Sequence, residues 1–151
     1  MNEDLDSIMA VMDAAFDPRW GEAWTRRQVS DSLVFPHTHV RLLDGAGRVP
    51  YGAGEAAGFT QVRAAPGEEE LLLIAVVPAW RGRGLGTALL RHAAADARGR
   101  GAERLFLEMR ANNPARRLYE RFGFQPIGRR KHYYRTTDGD KLDAITFAYL
   151  L

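Results

Sequence analysis

Cysteine is absent from the 151 residues of this chain, which excludes disulfides, thiolate zinc sites and a cysteine nucleophile together. Long hydrophobic runs are missing as well. No stretch approaches the ~18 apolar residues that span a membrane, so no membrane association is expected. The opening residues, MNEDLDSIMAVMDAAF, carry acid where a signal or transit peptide carries base, and a cytoplasmic protein is the expectation. A net charge of +2 is too small for a strong field over the whole molecule, and direct nucleic-acid binding is not expected. The densest basic cluster, Arg129-Arg130-Lys131-His132, reads either as a solvated turn or as an anion contact. His37 and His39 lack the carboxylate or third histidine that would complete a metal set, so no metal is expected.

What is present is ordinary globular material, 46% hydrophobic and 26% charged, in a length that suits one core. Residues 1–151 are therefore expected to form one domain, monomeric or at most weakly dimeric. Leu5, Ile8, Met9, Met12 and Phe16 recur at spacings of three and four and predict a helix over 5–16. A second helix is expected at 22–33. A loosely alternating segment at 39–44, the turn residues Asp44-Gly45-Ala46-Gly47 and a strand at 54–64 predict a hairpin. The apolar run LLLIAVV (71–77), ended by Pro78, reads as the central strand, buried on both faces. A helix from Leu85 to Arg98 stops at Gly99 and Gly101. A strand at 105–109, a helix at 114–121 ended by Gly123, and strands at 124–134 and 142–150 complete an α/β order. Strand, helix, strand in the middle implies a right-handed parallel crossover.

Chemistry concentrates between the central strand and the long helix, in Pro78-Ala79-Trp80-Arg81-Gly82-Arg83-Gly84-Leu85-Gly86-Thr87. The three glycines let backbone approach a ligand, and the unpaired N–H groups and dipole of the following helix favour an anion such as a pyrophosphate. Arg81 and Arg83 add positive charge. A Walker loop is excluded because no lysine stands here. A dinucleotide fingerprint fits less well, since Thr87 occupies the place of its third glycine and Pro-Ala-Trp-Arg separates it from the strand, although Glu108 suits a ribose contact. Glycines present for packing alone are a further reading.

Arg81, Gly84 and Gly86 also meet a pattern of arginine or glutamine, two residues, glycine, one residue, then glycine or alanine. Further on, Asn112-Asn113-Pro114-Ala115 is followed by Leu118-Tyr119-Glu120-Arg121-Phe122-Gly123-Phe124. Together, in this order and spacing, they resemble the GNAT superfamily of N-acetyltransferases. The tract Leu107 to Asn112 and the tail His132 to Gly139, with Asp143-Ala144-Ile145, resemble the branch that acetylates the N-terminal alanine of a small-subunit ribosomal protein. The likeness covers about residues 68–151, with a loose match at Trp20-Gly21-Glu22. One residue fewer than usual separates Glu108 from Asn112, which leaves the direction of Glu108 open.

The resemblance implies a mixed, mostly antiparallel sheet with a central splayed parallel pair and helices on both faces. It also implies acetyl-coenzyme A (acetyl-CoA) as co-substrate and a protein or peptide N-terminus, such as that of a ribosomal protein, as acceptor. Val76, Val77 and Pro78 then line the pantetheine, with the Val76 N–H or its neighbour toward the acetyl carbonyl. The segment Arg81, Gly82, Arg83, Gly84, Leu85, Gly86 and Thr87 holds the pyrophosphate. Glu108 takes the amine's proton through water, Tyr119 protonates the leaving thiolate, and Asn112 bonds the cofactor's amide arm or caps the next helix. A salt-bridged strand-end Glu108 and a core Tyr119 are the structural alternatives. Without cysteine, direct attack in a ternary complex is the simplest route. Trp20, Trp24, Tyr133 and Tyr134 are candidate walls of an acceptor groove. A small amine, an antibiotic or a protein lysine as acceptor, and a coenzyme A binding module without catalysis, remain the other readings.

Overall fold

The computed structural model describes residues 2–50 and 55–151. The elements run α1 (Asn2–Ala15), a 3₁₀ turn (Pro18–Trp20), α2 (Arg26–Leu33), β1 (Thr38–Asp44), β2 (Ala56–Ala65) and β3 (Glu68–Val76). A second 3₁₀ turn (Pro78–Trp80), α3 (Leu85–Gly99), β4 (Arg104–Arg110), α4 (Arg116–Phe122), β5 (Gln125–Arg135) and β6 (Lys141–Leu150) follow. Periodicity located nearly all of them. The second helix begins later than its composition suggests because Thr25 caps it. The Gln28 N–H donates to Thr25 Oγ1 at 3.1 Å and the Thr25 N–H to Gln28 Oε1 at 2.8 Å, a reciprocal capping box that fixes the first turn. The expected start of the second strand at Gly54 lies outside the described residues.

The six strands form one sheet in the order β1-β2-β3-β4-β6-β5. Every neighbouring pair is antiparallel except β3 and β4, which α3 connects. The mostly antiparallel sheet with one central parallel pair is as expected. α1 and α2 cover one face, where Ile8, Met12 and Val29 pack on Phe59, Leu73 and Ala75. α3 and α4 cover the other, where Leu90, Ala93 and Tyr119 pack on Leu71, Leu105, Leu107 and Phe147. β3 corrects one expectation. Rather than being buried equally on both faces, it alternates fully buried Leu71, Leu73 and Ala75 with half-buried Leu72, Ile74 and Val76.

The half-burial has a cause. β3 and β4 pair only at Glu68–Arg104, Glu69–Leu105 and Glu70–Phe106, after which they part. Where they part, β3 shifts register against β2 between Gln61 and Val62, with Gln61 opposite Leu73 and Val62 opposite Leu71, so Leu72 is an extra residue. Such a bulge bends its strand, here away from β4. β4 instead keeps β6 as partner along its whole length.

At the closed end of the parallel pair the two strands are clamped by charge. Glu69, 1% exposed, accepts from Arg100 Nε at 2.8 Å and from its terminal nitrogen at 2.7 Å. Arg104 reaches Glu68. Removing Arg100 would strand a buried carboxylate, so Arg100→Ala should lower the unfolding free energy in urea by about 3 kcal/mol, the low end for such pairs because Arg100 is partly exposed. Replacing Glu69 and Arg100 together by leucine should recover most of that loss. A loss well under 1 kcal/mol for Arg100→Ala would show that the clamp contributes little.

Candidate functional site

The parting of β3 and β4 opens the sheet at the residues singled out from the sequence. At the end of β3 the Val77 N–H donates to Ala57 O of β2 at 2.8 Å. Backbone groups alternate sides along a strand, so the Val76 N–H faces the opposite edge, toward the gap. Pro78 then starts the 3₁₀ turn that leads the chain round to α3.

In the loop, Gly82 (φ +74) and Gly84 (φ +84) are left-handed, and a side chain at either would meet nothing within 4 Å. Gly84 is the N-cap of α3 and has no side-chain cap. The first intrahelical bond is Ala88 N–H to Gly84 O at 3.0 Å, which leaves the N–H groups of Leu85, Gly86 and Thr87 directed out of the helix start with its positive dipole end. This is the geometry of an anion cradle. The Leu85 side chain is buried against Leu89 and Leu43, so only its backbone faces the loop. Arg83 lies over the Trp80 ring at 5.0 Å, and that ring rests on Gly45, where a Cβ would come within 2.2 Å of it.

Two loop residues do something other than expected. Gly86 does not simply admit a ligand: its added Cβ would lie 2.9 Å from Leu118 Cδ2, so this glycine lets α3 approach α4. The Arg81 guanidinium donates through Nε to Val76 O at 3.1 Å and through its terminal nitrogen to Ala15 O at 2.7 Å. It ties the end of α1 to the end of β3. Arg81→Ala should therefore lower the melting temperature by several degrees, from lost hydrogen bonds worth about 1–2 kcal/mol. Arg83→Ala, which breaks no such tie, should leave it within a degree or so, and calorimetry of both variants checks the contrast.

Beyond the bulge lies a cleft of about 350 Å³ lined by Glu22, Trp24, Leu72, Ile74, Leu107, Tyr119 and Tyr134, among others. Tyr119 is 5% exposed and meets Phe124 edge to face with centroids 5.8 Å apart. Burial, and then the charge of Glu22, push its phenol far above the usual tyrosine range. Tyr119 is thus packed in the core, as one of its two readings has it, and also lines the cleft. Tyr134 is pushed up to about 12, first by burial, then by Glu108 and Glu22. Tyr133 stands edge-on to Tyr134 at 5.2 Å and is half exposed.

Glu108 sits one residue from the buried face of β4. Its Oε2 accepts from Thr146 Oγ1 at 3.3 Å and pairs with Arg130 Nε at 3.5 Å. It does not line the cleft itself but borders it through Tyr134. Asn112 lies just past β4, where its Oδ1 accepts from Arg110 at 2.9 Å. It does not cap the next helix: α4 begins at Arg116 rather than Pro114, its N-cap is Ala115 and no side chain caps it, while Asn113 Oδ1 accepts from the Ala115 N–H at 2.9 Å in the turn before it.

The sequence reading passed over one group. Glu22 pairs with Arg110, whose guanidinium is 4.0 Å from the Trp20 ring centroid. The loose match at Trp20-Gly21-Glu22 was its only trace. The same turn is fastened to the β5–β6 hairpin, since the Thr137 N–H donates to Arg19 O at 3.1 Å and Arg19 pairs with Asp138 at 3.4 Å. The Thr-Thr-Asp-Gly turn is thus tied to the chain segment that carries Glu22.

With this geometry the comparisons with known proteins agree. The chain matches the Acetyltransferase (GNAT) family over residues 5–124 and belongs to it; it is an acetyl-CoA-dependent N-acetyltransferase by family. It is 38% identical over 122 residues to the N-alpha-acetyltransferase RimI of Mycobacterium tuberculosis, across 79% of this chain and 72% of that one. It is 43% identical over 96 residues to the ribosomal protein bS18-alanine N-acetyltransferase of Escherichia coli, across 63% of this chain and 64% of that one. The crystal structure of the ribosomal-protein alanine N-acetyltransferase from Escherichia coli superposes with a TM-score of 0.80 at 31% identity, across 97% of this chain and 87% of that one.

The two phenols set an alkaline limit. A folded-state pKa raised above the unfolded value of about 10 means that the folded protein holds the proton more tightly, so stability is full below pH 10 and falls as pH rises toward the Tyr134 value of about 12. Denaturant titrations between pH 9 and 12 should show that decline, shallower in Tyr134→Phe. An equal slope in the variant would mean that Tyr134 ionises as freely as in the unfolded chain.

Proposed function

We propose that this chain moves the acetyl group of acetyl-CoA to the free α-amine of a protein N-terminus, with an alanine-initiated ribosomal protein as the substrate class. The observation that carries the reading is the meeting, in one gap of the sheet, of an anion cradle, a free strand edge and a cleft lined by a protonated phenol and a carboxylate. The names of the relatives support the acceptor. That acceptor implies a cytoplasmic location, where ribosomal proteins are made.

The residues present fit the cofactor. The open glycines and free N–H groups at the start of α3 suit a pyrophosphate, and the edge of β3 at Val76, Val77 and Pro78 suits the amides of a pantetheine arm. Acetyl-CoA, when bound, supplies an activated acetyl thioester. The Val76 N–H, with Val77 bonded to Ala57 and the Val76 carbonyl bonded to Arg81 beside it, would stabilise negative charge on a carbonyl oxygen at the gap. Tyr119, its phenol kept protonated by burial, gives that proton to the leaving thiolate. Glu108 takes the proton lost by the acceptor through water. Asn112, whose Oδ1 is taken by Arg110, has its amide nitrogen left for the cofactor's amide arm. An α-amine titrates near 8 and lysine near 10.4, so an N-terminus asks about 3 kcal/mol less of a weak base.

The acceptor is checked by incubating acetyl-CoA and the protein with a peptide that begins with alanine and contains an internal lysine, then locating the added group by mass spectrometry. Acetyl on the α-amine is expected, and acetyl on the lysine with a free N-terminus would overturn the acceptor. Tyr119→Phe should lower kcat about 100-fold with acetyl-CoA affinity unchanged, whereas a parallel loss of affinity would place Tyr119 in packing alone.

A further inference from the structure

The cleft is lined by a carboxylate to which the steps assigned above give no task. Glu22 follows Gly21, whose left-handed backbone (φ +63) ends the 3₁₀ turn. Its Oε1 accepts from Arg110 Nε at 3.1 Å, and Oε2 has no hydrogen-bond partner among the described residues. Arg110 is itself 7% exposed, stacked on Trp20 and held by Asn112 Oδ1. A carboxylate gripped by a buried, stacked guanidinium cannot swing to solvent, and its second oxygen stays presented to the cleft.

We infer that Glu22 is the specificity-determining residue for the acceptor, binding the incoming ammonium group through Oε2. The inference rests on the reading of the chain as an amine acetyltransferase. Three features of the cleft support it. Glu22 shares the cleft with Tyr119 and Tyr134. Its charge reaches both phenols, since it contributes to raising each. The other nearby carboxylate, Glu108, is occupied by Thr146 and Arg130 and does not line the space. An ammonium that enters the cleft meets a partner in Oε2, whereas a neutral chain end leaves that carboxylate unmatched. Arg110 acts only through Glu22, as a positioning residue.

The test compares two peptides of one sequence, one beginning with alanine and one with propionyl in its place, which lacks the amine. Their affinities are measured by calorimetry against the protein saturated with coenzyme A. The wild type should favour the amine about tenfold or more, as a hydrogen-bonded charge pair does. In Glu22→Gln the two peptides should bind alike, while Glu108→Gln should keep the preference and lose rate. A preference retained in Glu22→Gln, absent in the wild type, or lost only in Glu108→Gln would overturn the inference. If Glu22→Gln fails to fold because Arg110 is left unpaired, the double variant E22Q/R110Q removes both charges, and the same ratio decides. If the wild type acetylates the internal lysine instead, the N-terminal acceptor falls. The comparison of lysine with norleucine at that position then judges Glu22 separately.

Discussion

β3 and β4 hold each other through only Glu68–Glu70 and Arg104–Phe106, and the rest of the molecule is arranged around their parting. A sheet opened in its middle leaves peptide groups along one edge of β3 without a ladder partner, a costly state for backbone that water cannot reach. The protein tolerates it because the closed end is held by the Glu68–Arg104 pair between the strands and the Glu69–Arg100 pair to the end of α3, and because both faces are packed, by α1 and α2 on one side and α3 and α4 on the other. The extra residue Leu72 bends β3 away, and β6 keeps β4 straight from Arg104 to Arg110. The gap is therefore built by the strands' partners.

Charge is divided across that gap. On one side lie the helix start, its free N–H groups and Arg83; on the other lie Glu22 and Glu108, each held by an arginine from the same sheet, Arg110 and Arg130. A cofactor rich in phosphate and an acceptor carrying an ammonium would each be drawn to its own end. The holding arginines lower the net charge of the acceptor side and fix the carboxylates in place. The hairpin tip at 136–140 is held by contacts with Arg19, more than a hundred residues earlier.

Two residues of the loop have a role in the fold beside the ligand contact that the sequence suggested. Arg81 and Gly86 sit in a pattern read as phosphate-binding, yet Arg81 joins Ala15 to Val76 and Gly86 makes room for Leu118. The constraint they satisfy is that α1, β3, α3 and α4 converge within a few residues of the cradle. Any side chain there meets packing demands as well as chemistry, and a shift in packing would move the N–H groups that face the anion.

By itself the sequence determined the elements and the place of the cradle, because both rest on local rules: the three-and-four spacing in α1 and α3, Pro78 ending the central strand, and glycines where backbone must turn left-handed. Composition alone settled the absence of a cysteine nucleophile. The tertiary structure decided which carboxylate lines the cleft, which residue Asn112 bonds and where Arg81 is directed. Those outcomes depend on partners distant in the chain. Glu22 meets Arg110 across 88 residues and Arg81 reaches Ala15 across 66, and no spacing within one element encodes such a meeting. Burial then set the proton affinity of Tyr119, a property of its surroundings that the letter tyrosine does not carry.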